Sequence, residues 1–184
     1  MSREIFDRQS NREARWRAEQ ELVDRLVDRL EHPVDAGIKE AVIGLRVFGI
    51  NTTASCEGHA ERAVRAPWID IGADLPEGIV QAFQNATKSG DEATADALWK
   101  QIKVLNLKEW QKAIPLLDEF YRGRVILYDM RLIIAPEAQG GRLMSQGAML
   151  QSISAESVVR AHLSDYQGEM RAFAAFLKQK FVSI

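Results

Sequence analysis

The sequence predicts an α+β fold: a small, mainly antiparallel sheet of about four strands, covered by about five or six helices, the last of them long and C-terminal. Three observations carry this expectation. Helical periodicity runs through the N-terminal third and again through the last thirty residues. β-prone runs come in two close pairs, near 50–55 and 67–72, and near 124–135 and 142–147. Between the helical flanks, Gly49–Gly72 contains two β-type runs, the single cysteine Cys56, and His59 three residues later.

The first helix is expected over 10–31. Ser10 and Glu13 have capping-box spacing, and Trp16, Val23, Leu26, Val27 and Leu30 share one side. His32-Pro33 ends it, because proline disfavours helix at the preceding residue. Asp35 is suited to cap a second helix through Ile38, Ala41, Val42, Leu45 and Phe48, with Gly49 as its left-handed stop. The run at Ile50 is then paired with Trp68–Ile71 across a long polar loop.

Asp74 and Pro76 open a third helix with Ile79, Val80 and Phe83. Ser89 and Glu92 open a fourth, whose phase breaks near Asn106 and passes to a fifth segment kinked or delayed by Pro115. Arg124–Ala135 is rich in branched and aromatic residues, apolar on both faces, and therefore reads as a central strand. Gln139-Gly140-Gly141 turns it into the fourth strand. Ser154 caps the last helix, over 154–181. Its seam of Val159, Leu163, Tyr166, Met170, Phe173, Leu177 and Phe181 suits packing on the sheet or on the first helix, or pairing with a second copy as a homodimer. Residues 1–184 read as one domain, with no internal repeat or linker.

The bulk numbers set bounds on function. A formal net charge of −2 gives no overall positive field to draw the chain to nucleic acid or anionic lipid. One cysteine excludes an internal disulfide framework and fits a reducing compartment. The N-terminus M-S-R-E-I-F-D-R lacks the apolar stretch of a secretory signal, and no apolar run has membrane-spanning length. The expectation is a cytoplasmic protein with no membrane partner.

Four readings compete at Cys56 and His59. In the first, Cys56 is a small buried hydrophobe at a strand end and His59 a loop residue. In the second, thiolate and imidazole share a metal ion, zinc by preference, with further ligands from His32, His162, Glu57, Glu61 or Asp70. In the third, Cys56 is a nucleophile whose pKa is lowered by His59, with Glu57 beside it as a further acid–base group. In the fourth, Thr53, Ser55, the loop amides at Gly58 and the cation of Arg62 hold a small ligand without a covalent step. Read as an enzyme, the chain has catalytic candidates Cys56, His59 and Glu57. Read as a binding or assembly module, it uses the Cys56 turn structurally.

The stretch G-I-N-T-T-A-S-C-E-G-H followed by P-W-I-D-I resembles a group of uncharacterised bacterial and phage-type proteins with a G-I-x-T-x-x-S-C-E-G-H segment after an amphipathic helix and before a β-run. More distantly, it is similar to the wybutosine-synthesising tRNA methyltransferase family, which carries a threonine- and serine-rich segment ending S-C-S-G-R between helix and strand. Thr53, Ser55, Cys56 and Gly58 are shared; Ala54 and Glu57 stand where that family has serines, and His59 where it has arginine. The first resemblance implies a site at this segment. The second implies a related architecture, S-adenosylmethionine as ligand, and action on a nucleotide or RNA-linked group.

Overall fold

The computed structural model describes residues 3–28, 30–61, 64–137, 140–150 and 156–183. It is an α+β arrangement of five helices and one four-stranded antiparallel sheet. In chain order the elements are α1 (Arg3–Asp24), α2 (Ala36–Val47), β1 (Thr52–Cys56), β2 (Trp68–Ile71), α3 (Ile79–Ser89), α4 (Glu92–Phe120), β3 (Leu132–Glu137), β4 (Gly140–Ser145) and α5 (Glu156–Ser183). Both expected hairpins form. β2 and β4 then join them, Trp68 opposite Met144 and Asp70 opposite Arg142, into a single sheet of order β1-β2-β4-β3.

The core lies between one face of this sheet and the helices. Ile69, Ile71, Leu132 and Leu143 supply the sheet side. The α2 helix is enclosed almost all round, which explains its near-continuous apolar run Ala41–Leu45. Its Gly44 sits against Leu177 of α5, so the two backbones approach closely. Tyr166, Met170, Phe173, Leu177 and Phe181 of the C-terminal seam are buried within the chain itself. Its principal neighbour is α2. The N-terminal helix also meets α5: Trp16 lies against Phe181, and Arg12 Nη1 donates to the Phe181 carbonyl.

The third strand is shorter than expected and at the edge, not the centre. Residues 124–131 form a loop containing a 3₁₀ turn, Tyr128–Met130, and Val125 is 99% exposed. β4 offers only six residues, so pairing starts at Leu132 opposite Ser145. The preceding loop is held elsewhere: Arg124 lies over Phe120 and binds Glu169, and Arg131 lies over Tyr121. Strand propensity without a partner strand leaves branched residues in a loop. Pro136, which has no N–H to offer a ladder, is tolerated in an edge strand.

Helix boundaries also shift. α1 already runs from Arg3, so Ser10 is interior, and it stops at Asp24 instead of reaching Glu31. There the Asp28 carboxylate accepts from Leu30 N at 2.7 Å and His32 N at 2.9 Å, a local alternative to helical bonding. Those amide donors hold the Asp28 carboxyl below its ordinary pKa. α4 is one continuous helix through Asn106 and Pro115. Asn106 is not a cap; it is buried and its Oδ1 accepts from Ala73 N at 2.8 Å, anchoring the chain after β2. Asp91, not Ser89, caps α4, accepting from Thr94 N. The expected Ser154 cap lies outside the described residues, as does Gln139 of the expected turn; Gly140 and Gly141 of that turn instead begin β4, paired with Glu137 and Pro136. Among the described residues, no helix is long and apolar enough to cross a membrane.

Candidate functional site

The site grows out of an exchange of caps. Asp35 occupies the N-cap of α2, yet its side chain makes no cap bond there. Instead Asp35 Oδ2 accepts from Glu57 N at 3.1 Å, while Glu57 Oε2 accepts from Gly37 N at 2.7 Å in the first turn of α2. The carboxylate at the positive end of α2 is thus Glu57, twenty residues away in sequence from the amide it satisfies. The exchange ties the end of β1 to the start of α2 and frees Asp35 to face the loop.

β1 ends at Cys56, opposite Trp68 and 3% exposed. The chain then bends at once. Gly58 has φ +83°, and its N–H donates to Cys56 Sγ at 3.4 Å. A β-carbon at Gly58 would lie 2.6 Å from the Ala66 carbonyl carbon, so the returning strand crowds this turn. From α5, Gln167 Nε2 donates to the carbonyls of Glu57 at 3.0 Å and Gly58 at 3.4 Å. The bend brings His59 back over Cys56. His59 Nε2 lies 3.6 Å from Asp35 Oδ2, and it is buried without a hydrogen-bond partner. One donor atom each from Asp35, Cys56 and His59 lies within 4.8 Å of the others.

Of the residues singled out from sequence, Cys56 and His59 therefore meet. Glu57 adjoins them through its backbone, while its carboxylate is engaged by α2. Ser55, registered opposite Ile69, points to the sheet face opposite Cys56. Thr53 is exposed on β1, with its side chain beside Gly72. Arg62 lies outside the described residues. The distant ligand candidates are engaged elsewhere: His32 beside Asp28, Glu61 beside Arg160, His162 beside Tyr166, and Asp70 on Arg142. Sequence reasoning missed Asp35 as a site residue, and Gln167 altogether. Asp35 carried a signal, the N-cap pattern, but that pattern predicts a side chain spent on its own helix.

Beside the site, Arg142 spreads over the Trp68 ring at 3.9 Å and binds Asp70 with two hydrogen bonds, 2.7 and 2.9 Å. The Asp70 bonds hold its guanidinium above its ordinary pKa, with smaller contributions from Glu137 and Cys56. Two cavities, of about 400 and 280 Å³, open along α4 and β3, and no residue of the 55–59 segment lines either. No family model, curated protein or solved structure matches this chain.

Proposed function

We propose that Asp35, Cys56 and His59 bind a single zinc-type ion and that this centre is the working site of the protein. The observation that carries the reading is the buried, unpartnered His59 Nε2, 3.6 Å from a carboxylate oxygen and next to a thiol. Burying an imidazole nitrogen without a partner is unfavourable. The separation is too long for a good hydrogen bond. It is close to what a shared ion requires: nitrogen and oxygen ligands each about 2.0–2.1 Å from a tetrahedral zinc stand roughly 3.3 Å apart. A mixed thiolate, imidazole and carboxylate set suits zinc better than calcium or magnesium.

Three protein ligands leave a fourth position for water or substrate, the pattern of catalytic rather than structural zinc. Such an ion supplies a Lewis acid for a carbonyl or phosphoryl oxygen, the latter including that of a nucleotide, and a water ionised near neutral pH. The chain's own residues do the positioning. The Cys56 sulfur accepts from Gly58 N, Asp35 is oriented by Glu57 N, and the turn is fixed by Gln167. Asp35 and His59 are each about one-third exposed on their side chains, which leaves the open side toward solvent.

The test is metal content of protein purified in zinc-supplemented medium, with thermal melting before and after chelation. One ion per chain is expected, lost in Cys56→Ala and in His59→Ala. At metal concentrations about a hundredfold above Kd, binding stabilises by about 2.7 kcal/mol. For a chain of this length that raises Tm by about 5–11 °C. Sub-stoichiometric metal together with a melt unaffected by zinc or chelator would refute the centre.

A second reading is supported by the number of bonds closing the turn. Asp35 and Gln167 bind its backbone and the Glu57 carboxylate ties it to the first turn of α2, so the segment also suits a purely architectural role in a binding or assembly module. On that reading His59→Ala lowers Tm equally with and without chelator.

A further inference from the structure

A second site lies away from Cys56, in the cavity of about 400 Å³ between α4 and the β3–β4 hairpin. We propose that it binds a planar aromatic anion: a ring system of one or two fused rings carrying a carboxylate, sulfonate or phosphate. This site shares no residue with the metal centre and does not depend on it. The volume falls within the range of small-molecule pockets. Its walls are mainly aromatic and aliphatic carbon, chiefly Trp99, Trp110 and Leu107.

Two polar groups of those walls are bonded within the chain. Trp110 Nε1 donates to the Ile71 carbonyl, and Asn106 Oδ1 accepts from Ala73 N. Trp99 is stacked on Phe83 at 5.4 Å, which holds its plane in place. A mainly apolar slot walled by two indoles selects for a flat, apolar ring.

Charge selects the substituent. Lys103 Nζ stands 5.9 Å from the Trp99 centroid at the cavity. On the same helix, Lys100 pairs with Asp96 at 2.6 Å and Lys112 with Glu109 at 2.7 Å, while Lys108 does not line the cavity. Lys103 has no carboxylate partner among the described residues. The acid that lines the cavity, Glu137, stands on the hairpin side and lies 3.5 Å from Arg142 Nη1, a guanidinium it shares with Asp70. On its α4 side the cavity therefore presents one ammonium without a carboxylate partner, beside an aromatic wall. An anionic tail on a stacked ring meets both.

A matched pair of fluorescent probes tests this: 8-anilino-1-naphthalenesulfonate, and N-phenyl-1-naphthylamine, which has the same rings without the sulfonate. The sulfonate probe is expected to bind saturably at one site per chain, about two- to fivefold tighter than the neutral one, the size of one solvent-exposed charge pair. Lys103→Met should erase that difference while leaving the neutral probe bound. Leu107→Glu, at a half-exposed position that tolerates a charge, should abolish binding of the sulfonate probe with the fold intact by circular dichroism. Cys56→Ala should leave both affinities unchanged, which separates this site from the metal centre. Absence of saturable binding, equal affinity for the two probes, or binding that survives both Lys103→Met and Leu107→Glu would each overturn the proposal.

Discussion

Replacing Gly58 by alanine tests how the motif is built, and Gly49 provides a matched control. Both residues have positive φ, +83° and +73°. Alanine in the left-handed region costs roughly 1–2 kcal/mol, partly offset by about 0.4–1 kcal/mol from a less flexible unfolded chain. At Gly49 nothing lies within 4 Å of an added β-carbon, so that small balance is the whole effect. At Gly58 the β-carbon would meet the Ala66 carbonyl carbon at 2.6 Å, Pro67 N at 2.8 Å and Leu163 Cδ1 at 2.8 Å. Two of the three are backbone atoms of the segment entering β2 and cannot swing aside, so about 1–3 kcal/mol of overpacking is added. Gly58→Ala is therefore expected to destabilise by about 2–4 kcal/mol, and Gly49→Ala by about 1 kcal/mol. At about 2–4 °C per kcal/mol for this chain length, Gly58→Ala should melt several degrees below Gly49→Ala. Thermal melts by far-UV circular dichroism, with urea titration for the free energies, give the difference directly. If the two variants melted within about 2 °C of each other, the close approach of the returning strand would be the wrong account of this glycine.

Tyr121 is 8% exposed; its hydroxyl accepts from Leu132 N at 2.7 Å and donates to Glu169 Oε1 at 2.9 Å. Tyr121→Phe leaves that buried amide unsatisfied and should cost about 1–3 kcal/mol in urea denaturation near neutral pH. Burial, foremost, and the Glu169 carboxylate raise the phenol above its ordinary pKa. The folded chain thus keeps this proton when the unfolded chain has lost it, so stability falls as pH rises past about 10, by up to about 1.4 kcal/mol per unit. That slope should be shallower in Tyr121→Phe; identical alkaline slopes would show that the phenol does not titrate differently on folding. Asp70→Asn weakens the bidentate cross-strand pair with Arg142, both partners being largely buried, and should cost about 1.5–3 kcal/mol. A double-mutant cycle with Arg142→Met should return a coupling above about 0.5 kcal/mol, and strict additivity would place the strength of the β2–β4 junction elsewhere.

The sequence by itself determined the class of the fold and most of its parts. Periodicity located the helices, the two pairs of β-prone runs located both hairpins, and the step of fours and threes in the last helix marked Tyr166, Met170, Phe173, Leu177 and Phe181, which are buried, and Leu163, which is half-buried. These features are local, set by side-chain spacing within one element, so no partner need be known. Tertiary structure decided whatever depended on a second element. Residues 125–127 have strand chemistry but no strand beside them, and β3 is an edge because β4 chose β2 as its other neighbour. Asn106 looked like a cap because its amide is polar within an apolar helix; it is buried because the loop after β2 needs an acceptor there. The same division runs through the site. Cys56, His59 and the bend at Gly58 are legible from their spacing and from glycine's freedom at positive φ. Asp35 is not, since a residue in N-cap position is expected to satisfy its own helix. Only when Glu57 takes over that task, from the far side of β1, does Asp35 become available to His59 and Cys56. A hydrogen-bond exchange between residues so far apart in sequence has no local signature, because either partner alone shows only an ordinary acid near a helix start or a strand end.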